Sequence, residues 1–210
     1  MRTITALRLN TRKKQVNVFI DGLFSFTIAD EVAIINHLTV GQTLSADQIE
    51  ELTASNLFHN CMDAAVQYLS YRPRSESEVR QRLRHRGFER EVIEQVILKL
   101  KERKLIDDIA FSEFWINNRL SFSPRSARLI NLELRRKGVS AETAGAMVQD
   151  LDDDQSVYEA GLKKAQRLSR LSYDDFKHRL YDYLRRRGFN YDSCKRAVER
   201  LWQDRERGEF

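Results

Sequence analysis

After residue 58 the sequence repeats itself at an interval of about fifty residues, and this period limits the possible folds more than any other feature. Three segments, 83–88, 134–139 and 184–189, each contain a leucine, three residues that are basic or histidine, a glycine and an apolar residue. Their glycines lie 51 and 50 positions apart, and each of the two prolines stands fourteen residues before one of these glycines. Such a repeat indicates supersecondary units that pack in series along the chain.

Each repeated glycine is predicted to end a helix. A glycine at the C′ position adopts the left-handed conformation without strain, and the residue after it folds back onto the residue three before the C-cap. In the first repeat these two residues are Phe88 and Leu83, and the other repeats also have apolar residues at both positions. Basic residues in a last turn suit the negative end of the helix dipole. Part of the arginine-rich pattern therefore has a purely structural explanation.

The predicted helix starts agree with these ends. Residues 75–78, Ser-Glu-Ser-Glu, form a capping-box pattern. Ser123 before Pro124 predicts a helix with serine as its N-cap and proline as its first residue. Ser172 with Asp175 resembles a capping box in which aspartate replaces glutamate. Each proline is preceded, two positions earlier, by an aromatic residue, Tyr71 or Phe122. We expect these two side chains to pack against a neighbouring helix rather than stack on bases.

Two joints between repeats are acidic, Asp107-Asp108 and Asp152-Asp153-Asp154. Paired carboxylates are candidates for metal binding or acid–base chemistry. Both groups, however, lie where a helix is predicted to begin, and acids stabilise helix N-termini. Helix capping is therefore the preferred interpretation.

The first 45 residues follow a different pattern. Residues 16–20 and 23–27 are rich in β-branched and aromatic residues, and Asp21-Gly22 between them is a strong signal for a type I′ hairpin. Residues 29–38 predict a short helix. These features predict a small three-stranded unit with one helix, which needs to pack on the following chain.

The predicted fold class is mainly α, with three tandem three-helix repeats of about fifty residues in an elongated array. In each repeat one helix precedes the proline slot, one ends at the glycine and one follows it. The predicted boundaries are 1–45 for the β unit with its helix, 46–106 for a linker helix and the first repeat, 107–151 for the second repeat and 152–210 for the third.

Several function classes lack their sequence signals. Apolar runs such as Val32–Ile35 are far below the roughly 18 residues that cross a bilayer, and the N-terminus lacks the apolar segment of a signal peptide. Cys61 and Cys194 have no metal or redox spacing, so the cytoplasm is the expected compartment, with a disulfide between them left open. No phosphate-binding glycine loop, nucleophile elbow or histidine pair is present. We therefore expect no cofactor, no metal and no enzymatic activity.

The formal net charge is +5 and the sequence pI is about 9.3. Residues 1–58 contain five basic and six acidic residues, so the basic excess belongs to the helical repeats. A basic surface of this kind favours nucleic acid or an acidic protein surface as the partner.

Residues 68–79, with the sequence Tyr-Leu-Ser-Tyr-Arg-Pro-Arg-Ser-Glu-Ser-Glu-Val, then 83–88, then 105–108 with Phe111, resemble the RecX family of bacterial recombination regulators. A second copy, 124–126 with 134–138, matches the same pattern. The resemblance covers roughly residues 58–205, and the β unit is similar to an extension that some members carry. The third repeat departs from the pattern because it lacks the proline.

The resemblance implies a non-enzymatic regulator that binds the RecA recombinase and its filament on single-stranded DNA. Members of the family lower ATP hydrolysis, coprotease activity and strand exchange by limiting filament growth or promoting disassembly. A monomer is expected, with direct DNA binding possible but weak and no membrane partner. Within this interpretation we expect Arg74 and Arg125 to contact the partner.

The candidate contact residues are cations in two groups. The first group precedes or opens the second helix of a repeat and consists of Arg72, Arg74, Arg125 and Arg128. The second group ends that helix and consists of Arg84, Arg86, Arg135, Arg136, Lys137, Arg185, Arg186 and Arg187. The helix dipole does not favour cations at a helix start, so the first group has fewer structural explanations.

Two other function classes remain open on the sequence. The main alternative is a stand-alone nucleic-acid-binding protein that uses its trihelical units like helix-turn-helix domains. Acids in the helices, such as Glu89, Glu91 and Glu142, argue against recognition helices. A scaffold unrelated to DNA is the third class. Its test is whether a complex of recombinase and single-stranded DNA retains this protein at physiological salt, since a scaffold of that kind would not be retained.

Overall fold

The computed structural model describes residues 1–209 and contains, within them, four strands and ten helices, which confirms the mainly α prediction. No helix in this described part is long and apolar enough to cross a membrane. The elements follow in the order β1 Arg2–Asn10, β2 Gln15–Ile20, β3 Leu23–Ala29, α1 Asp30–Ile35, β4 Thr43–Leu44, α2 Ala46–Leu69, α3 Glu76–His85, α4 Arg90–Glu102, α5 Asp108–Phe122, α6 Ala127–Arg136, α7 Ala141–Val148, α8 Asp153–Arg167, α9 Tyr173–Arg185 and α10 Tyr191–Glu206.

The N-terminal strands form one antiparallel sheet in the order β3-β2-β1-β4. Asp21 and Gly22 have φ angles of 52° and 85°, as the predicted type I′ hairpin requires. The fourth strand is a difference from the predicted three-stranded unit. Only Thr43 and Leu44 form it, opposite Thr3 and Arg2, and two residues are too few to show an alternating pattern.

One face of this sheet is covered and forms the core of the N-terminal region. Val16, Val18 and Ile20 alternate along β2 and are buried. They pack with residues of α1 and with Leu52 of α2 in one apolar cluster. The hairpin is thus stabilised by helices that follow it, as the sequence requires.

The chain divides into two compact units. The first holds Met1–Arg72 and Val79–Leu105, and the second holds Pro73–Glu78 and the chain from Ile106 onward. The second and third three-helix bundles, α5–α7 and α8–α10, therefore lie in one unit.

The repeated apolar positions form the bundle cores. The residues eight and four positions before each repeated glycine are fully buried: Val79, Leu83, Ile130, Leu134, Leu180 and Leu184. The glycines at 87, 138 and 188 have φ angles of 85°, 86° and 90°. The amide of Val139 donates to the carbonyl of Leu134 at 3.1 Å, which is the predicted helix-ending geometry.

The serine two residues after each proline is the helix N-cap. The Ser75 hydroxyl accepts from the Glu78 amide at 3.2 Å, and the Glu78 carboxylate accepts from the Ser75 amide at 3.4 Å, so the predicted capping box is confirmed. The predicted cap at Ser123 is wrong. Ser126 caps α6 instead, because Ser123 is still the C-cap of α5 and Pro124 lies between the two helices.

The aromatic residues before the prolines are exposed, which corrects the prediction that they pack against a neighbouring helix. Tyr71 is 76% exposed and Phe122 is 80% exposed. Phe122 is the last residue of α5, so its side chain lies where the helix ends and remains in solvent. Ser172 caps α9 as predicted, although the Asp175 carboxylate accepts from its hydroxyl rather than from its amide.

Each acidic joint caps two helices at once. Asp107 and Asp152 are the N-caps of α5 and α8, as predicted. The aspartates that follow them accept from the first amide of another helix: Asp108 from Glu76 at 2.9 Å, and Asp153 from Ala127 at 2.7 Å. The sequence gives no sign of these second caps, because their donors lie 32 and 26 residues away.

One exposed ion pair in the third bundle supplies a pH test. Asp154 lies 2.6 Å from Arg196, and hydrogen bonds from Arg196 and Ser193 hold the pKa of Asp154 below its usual value. A lowered carboxyl pKa stabilises the fold above the unfolded-state pKa, and this contribution is lost as pH falls through the folded-state pKa. We expect Asp154→Asn to cost less than about 1 kcal/mol at pH 7, because both partners are mostly exposed.

As pH falls from 7 into the acid range, the difference in unfolding free energy between wild type and Asp154→Asn should shrink, and it should disappear below the lowered folded-state pKa of Asp154. Urea unfolding of both proteins across this pH range measures it. An Arg196→Gln background is the control, in which the pH-dependent difference should shrink. A constant difference from pH 7 to acid would contradict the assignment of this pair.

Candidate functional site

Four of the predicted contact residues line one cationic cleft in the second unit. The cleft has a volume of about 620 Å³ and lies between α6 and the end of α9. Arg128 and Arg135 come from α6, and Arg185 and Arg186 come from the end of α9. None of the described residues that line it is acidic.

Helical spacing explains the α6 wall. Arg128 and Arg135 are seven residues apart, close to two turns, so they project from the same side of the helix. Asn131 and Leu132 lie between them and also line the cleft. The opposite side of α6 carries the buried residue Ile130, which orients the basic side toward solvent.

A tight joint between two bundles brings the α9 wall beside α6. The Ser126 amide, at the start of α6, donates to the Arg187 carbonyl at 3.1 Å. Gly188 is so close that an added Cβ would lie 2.5 Å from the Ser126 hydroxyl and 2.8 Å from the Leu129 Cβ. Glycine is needed here for its positive φ and for this close approach. The joint thereby fixes Arg185 and Arg186 near the α6 arginines.

One acid is hydrogen-bonded to the cleft wall. The Asp153 carboxylate accepts from the amide of Ala127, a lining residue. Burial raises the pKa of Asp153, and the hydrogen bond from Ala127 opposes this rise. Guanidinium groups stay charged at all physiological pH values, so the lining remains cationic.

Arg125 is committed to an internal ion cluster. Its guanidinium pairs with the carboxylate of Glu133, a residue only 8% exposed. The same carboxylate accepts from Trp115 Nε1 at 2.8 Å and from Arg119 Nε at 2.7 Å. The structure thus gives Arg125 a packing role that the sequence did not reveal.

Lys137 also has internal partners. Its ammonium lies 2.7 Å from the Glu78 carboxylate and 5.2 Å from the centre of the Trp115 ring. Its carbonyl accepts from the Ser75 hydroxyl at 2.5 Å. These contacts hold the start of α3 against the end of α6 within the second unit.

Arg187 has the equivalent role at the next joint. It donates to the Ser123 hydroxyl at 2.9 Å and to the Pro124 carbonyl at 3.1 Å. Its guanidinium also lies 4.5 Å from the centre of the Tyr183 ring. Arg187 therefore ties the chain between α5 and α6 to the end of α9.

The remaining predicted cations differ in exposure. Arg72 and Arg74 are half-buried beside the first proline. Arg84, Arg86 and Arg136 are exposed near the ends of their helices. Of the twelve predicted cations, the cleft brings together Arg128, Arg135, Arg185 and Arg186.

A second cleft, about 350 Å³ in volume, lies between α9 and α10. Its charged lining has both signs, with Asp174 and Glu199 beside Lys177 and Lys195. It therefore lacks the single-sign character of the first cleft and is a weaker candidate for an anionic ligand.

The described residues contain no group of three or more His, Cys, Asp or Glu side chains placed to hold a metal ion. Both cysteines are buried as free thiols. Burial raises the pKa of Cys61 and of Cys194 to about 11, so neither thiol is a ready nucleophile.

Comparison with known proteins agrees with the repeat analysis. Three family models match: RecX, first three-helix domain, over residues 61–100; RecX, second three-helix domain, over 107–147; and RecX, third three-helix domain, over 152–198. These ranges correspond to the three bundles of the structure.

Whole-chain relatives carry the same description. The chain is 28% identical over 205 residues to "Regulatory protein RecX" of Lactobacillus johnsonii, covering 96% of this chain and 75% of the relative. It is 29% identical over 207 residues to "Regulatory protein RecX" of Clostridium perfringens strain SM101, covering 96% and 97%.

Two solved structures share the fold. A crystal structure of regulatory protein RecX has a TM-score of 0.69 at 21% identity, with 95% of this chain and 100% of that chain covered. The structure of RecX from Lactobacillus salivarius has a TM-score of 0.60 at 26% identity, with 70% and 97% covered.

Proposed function

This chain belongs to the RecX family of regulatory proteins, and on that premise we propose that it binds the RecA recombinase and its filament on single-stranded DNA. Binding lowers the ATPase, coprotease and strand-exchange activities by limiting filament growth or promoting disassembly. The observation that carries the proposed contact site is the arginine cleft, which gathers four predicted contact residues without an acidic lining residue.

The chemistry of the cleft suits an anionic surface of the recombinase filament. Each guanidinium offers paired N–H donors that match a carboxylate or a phosphate, and several together raise the local concentration of an anionic partner. Arg125 is paired with the buried Glu133, so we assign the contact to the four arginines that line the cleft. They are Arg128, Arg135, Arg185 and Arg186, of which Arg185 also donates to the Phe189 carbonyl at 3.2 Å. Association should be faster at low salt than at high salt.

The first test is the single-stranded-DNA-dependent ATPase of the cognate RecA, titrated with substoichiometric protein. Inhibition well below one molecule per protomer supports regulation through filament ends or blocked extension. Absence of inhibition at saturating protein, together with tight binding to the bare DNA, would favour the stand-alone nucleic-acid-binding alternative.

Charge reversal of the α6 wall tests the site itself. We expect Arg128→Glu with Arg135→Glu to raise the half-inhibitory concentration by more than about tenfold, since two attractions become repulsions. Lys163→Glu with Arg167→Glu is the matched control, because it makes the same charge change on exposed positions of α8. Circular dichroism confirms that both variants are folded. Equal inhibition by the two variants would contradict the assignment of the cleft.

A further inference from the structure

We propose that the open face of the N-terminal sheet binds single-stranded nucleic acid by stacking bases on its aromatic residues. This inference goes beyond the proposed function, because it assigns a separate site in the first unit and requires no recombinase. The opposite face of the sheet is buried against α1 and α2, so the open face is the one that can receive a ligand.

The strand register defines the open face. Residues directly opposite each other on paired strands point to the same side of a sheet. Phe19 is opposite Ala6 in β1 and Phe24 in β3, and Asn17 is opposite Arg8 and Thr27. Because Val16, Val18 and Ile20 alternate with these β2 residues and are buried, the Phe19 and Asn17 rows form the opposite, open side.

Two aromatic rings and a guanidinium lie together on this face. Phe19 and Phe24 contact each other edge to face, with ring centres 5.9 Å apart. Phe24 is 58% exposed to solvent. The Arg8 guanidinium lies 4.7 Å from the centre of the Phe19 ring. Bases stack on aromatic rings and on guanidinium planes, and this face presents both.

Basic residues are concentrated at one end of the open face, which suits a polyanion. The β1–β2 turn beside Arg8 contains Arg12, Lys13 and Lys14, all exposed. Asp30 adjoins this turn, because its amide donates to the Lys14 carbonyl at 3.1 Å. The other acids are on the helices, Glu31 on α1 and Asp47, Glu50 and Glu51 on α2. None of the strand residues paired in the Phe19 and Asn17 rows of the open face is acidic.

The β2–β3 turn, at the end of the sheet opposite the basic turn, contains one acid, Asp21. The Asp21 carboxylate there accepts from the Thr3 amide at 3.0 Å. The aromatic pair flanks this Asp21-Gly22 turn, whereas the basic turn lies at the other end of β2. A nucleic-acid strand that uses both features therefore runs along the sheet, with its phosphates near the cations at one end and its bases on the rings at the other.

These features favour a single strand over a duplex or a protein surface. In a duplex the faces of the bases are hidden in the stack, so exposed rings gain nothing from it. An apolar protein surface would leave the three consecutive cations unpaired, and an acidic protein surface would make no apolar contact with the two phenyl rings. Unpaired bases on a phosphate backbone match both features.

The test measures fluorescence anisotropy of the full chain with a labelled thymidine oligonucleotide of about twenty nucleotides. An abasic strand of the same length is the second probe, because it keeps the phosphates and removes the bases. We expect wild type to bind the thymidine strand about tenfold more tightly than the abasic strand. Phe24→Ser with Arg8→Gln should lose most of this preference, because the exposed Phe24 ring and the Arg8 guanidinium are both removed and only the Phe19 ring remains.

Two control variants separate stacking from general effects. Ile34→Ser removes another exposed apolar side chain of the first unit, and Arg90→Gln removes another exposed arginine there. Both should keep the wild-type preference. Equal binding of the two probes by wild type, no binding of either, or equal losses in the controls would overturn the proposal. A change of oligomeric state in Phe24→Ser with unaltered DNA affinity would identify an interface between copies and also overturn it.

Discussion

Replacing Gly138 with alanine will lower the free energy of unfolding by about 3–4 kcal/mol, whereas the same change at Gly87 will cost about 1–2 kcal/mol. Both glycines end a helix with nearly the same positive φ, 86° and 85°. Their surroundings differ. A Cβ at Gly138 would lie 2.2 Å from the Ser77 Cβ, and a Cβ at Gly87 would have no atom within 4 Å.

The comparison separates backbone strain from the contact at the joint. Strain in the left-handed region is common to both variants, so the additional loss in Gly138→Ala measures the collision with Ser77. Urea unfolding followed by circular dichroism gives both values. Adding Ser77→Gly to Gly138→Ala removes the colliding atom and should recover most of the additional loss. Equal losses in the two alanine variants would show that the joint does not close as described.

Replacing Glu133 with glutamine will cost about 2–3 kcal/mol. The buried carboxylate accepts from Trp115, Arg119 and Arg125, and an amide leaves two guanidinium groups facing a neutral group with only one acceptor atom. The loss stays below that of a fully buried pair because the side chains of Arg119 and Arg125 are 23% and 33% exposed.

The matched control for this variant is Glu102→Gln. Glu102 pairs with Lys99 at 2.9 Å on the surface of α4, with both side chains about half exposed, so its loss should be under about 1 kcal/mol. Urea unfolding compares the two variants, and in a Trp202→Phe background the remaining tryptophan emission, from Trp115, reports the cluster. A loss for Glu133→Gln no larger than for Glu102→Gln would rule out the cluster as a major source of stability.

The helical repeats could be predicted because their signals are local and occur three times. Leu134, Gly138 and Val139 are close in sequence, and the same positions recur in the other repeats, so the helix end follows from one rule. The first residue of α6 is harder to predict from the sequence. Pro124 often suits a first helical position, but the recurring Pro-Arg-Ser sequence puts the cap on Ser126, and a comparison with Ser75 would have found it.

The candidate site could be predicted only in part. Arginines 125, 128, 135 and 187 look alike in sequence, yet two of them line the cleft and two bind internal partners. The difference depends on Glu133 and on the joint at Ser123, which the fold brings together over separations of 8 and 64 residues. Residue type identifies the cations, and tertiary contacts decide which of them are available to a partner.

The arginine cleft has a further physical consequence, because its two walls come from different bundles that meet at the Ser126–Gly188 joint. Four like charges line the space, and their mutual repulsion opposes the closed arrangement when no anion is bound. An anion that contacts both walls neutralises this repulsion and connects the bundles. Occupancy of the cleft and stiffness of the joint are thus thermodynamically linked, so that a bound partner tightens the protein and a tighter joint binds its partner more strongly.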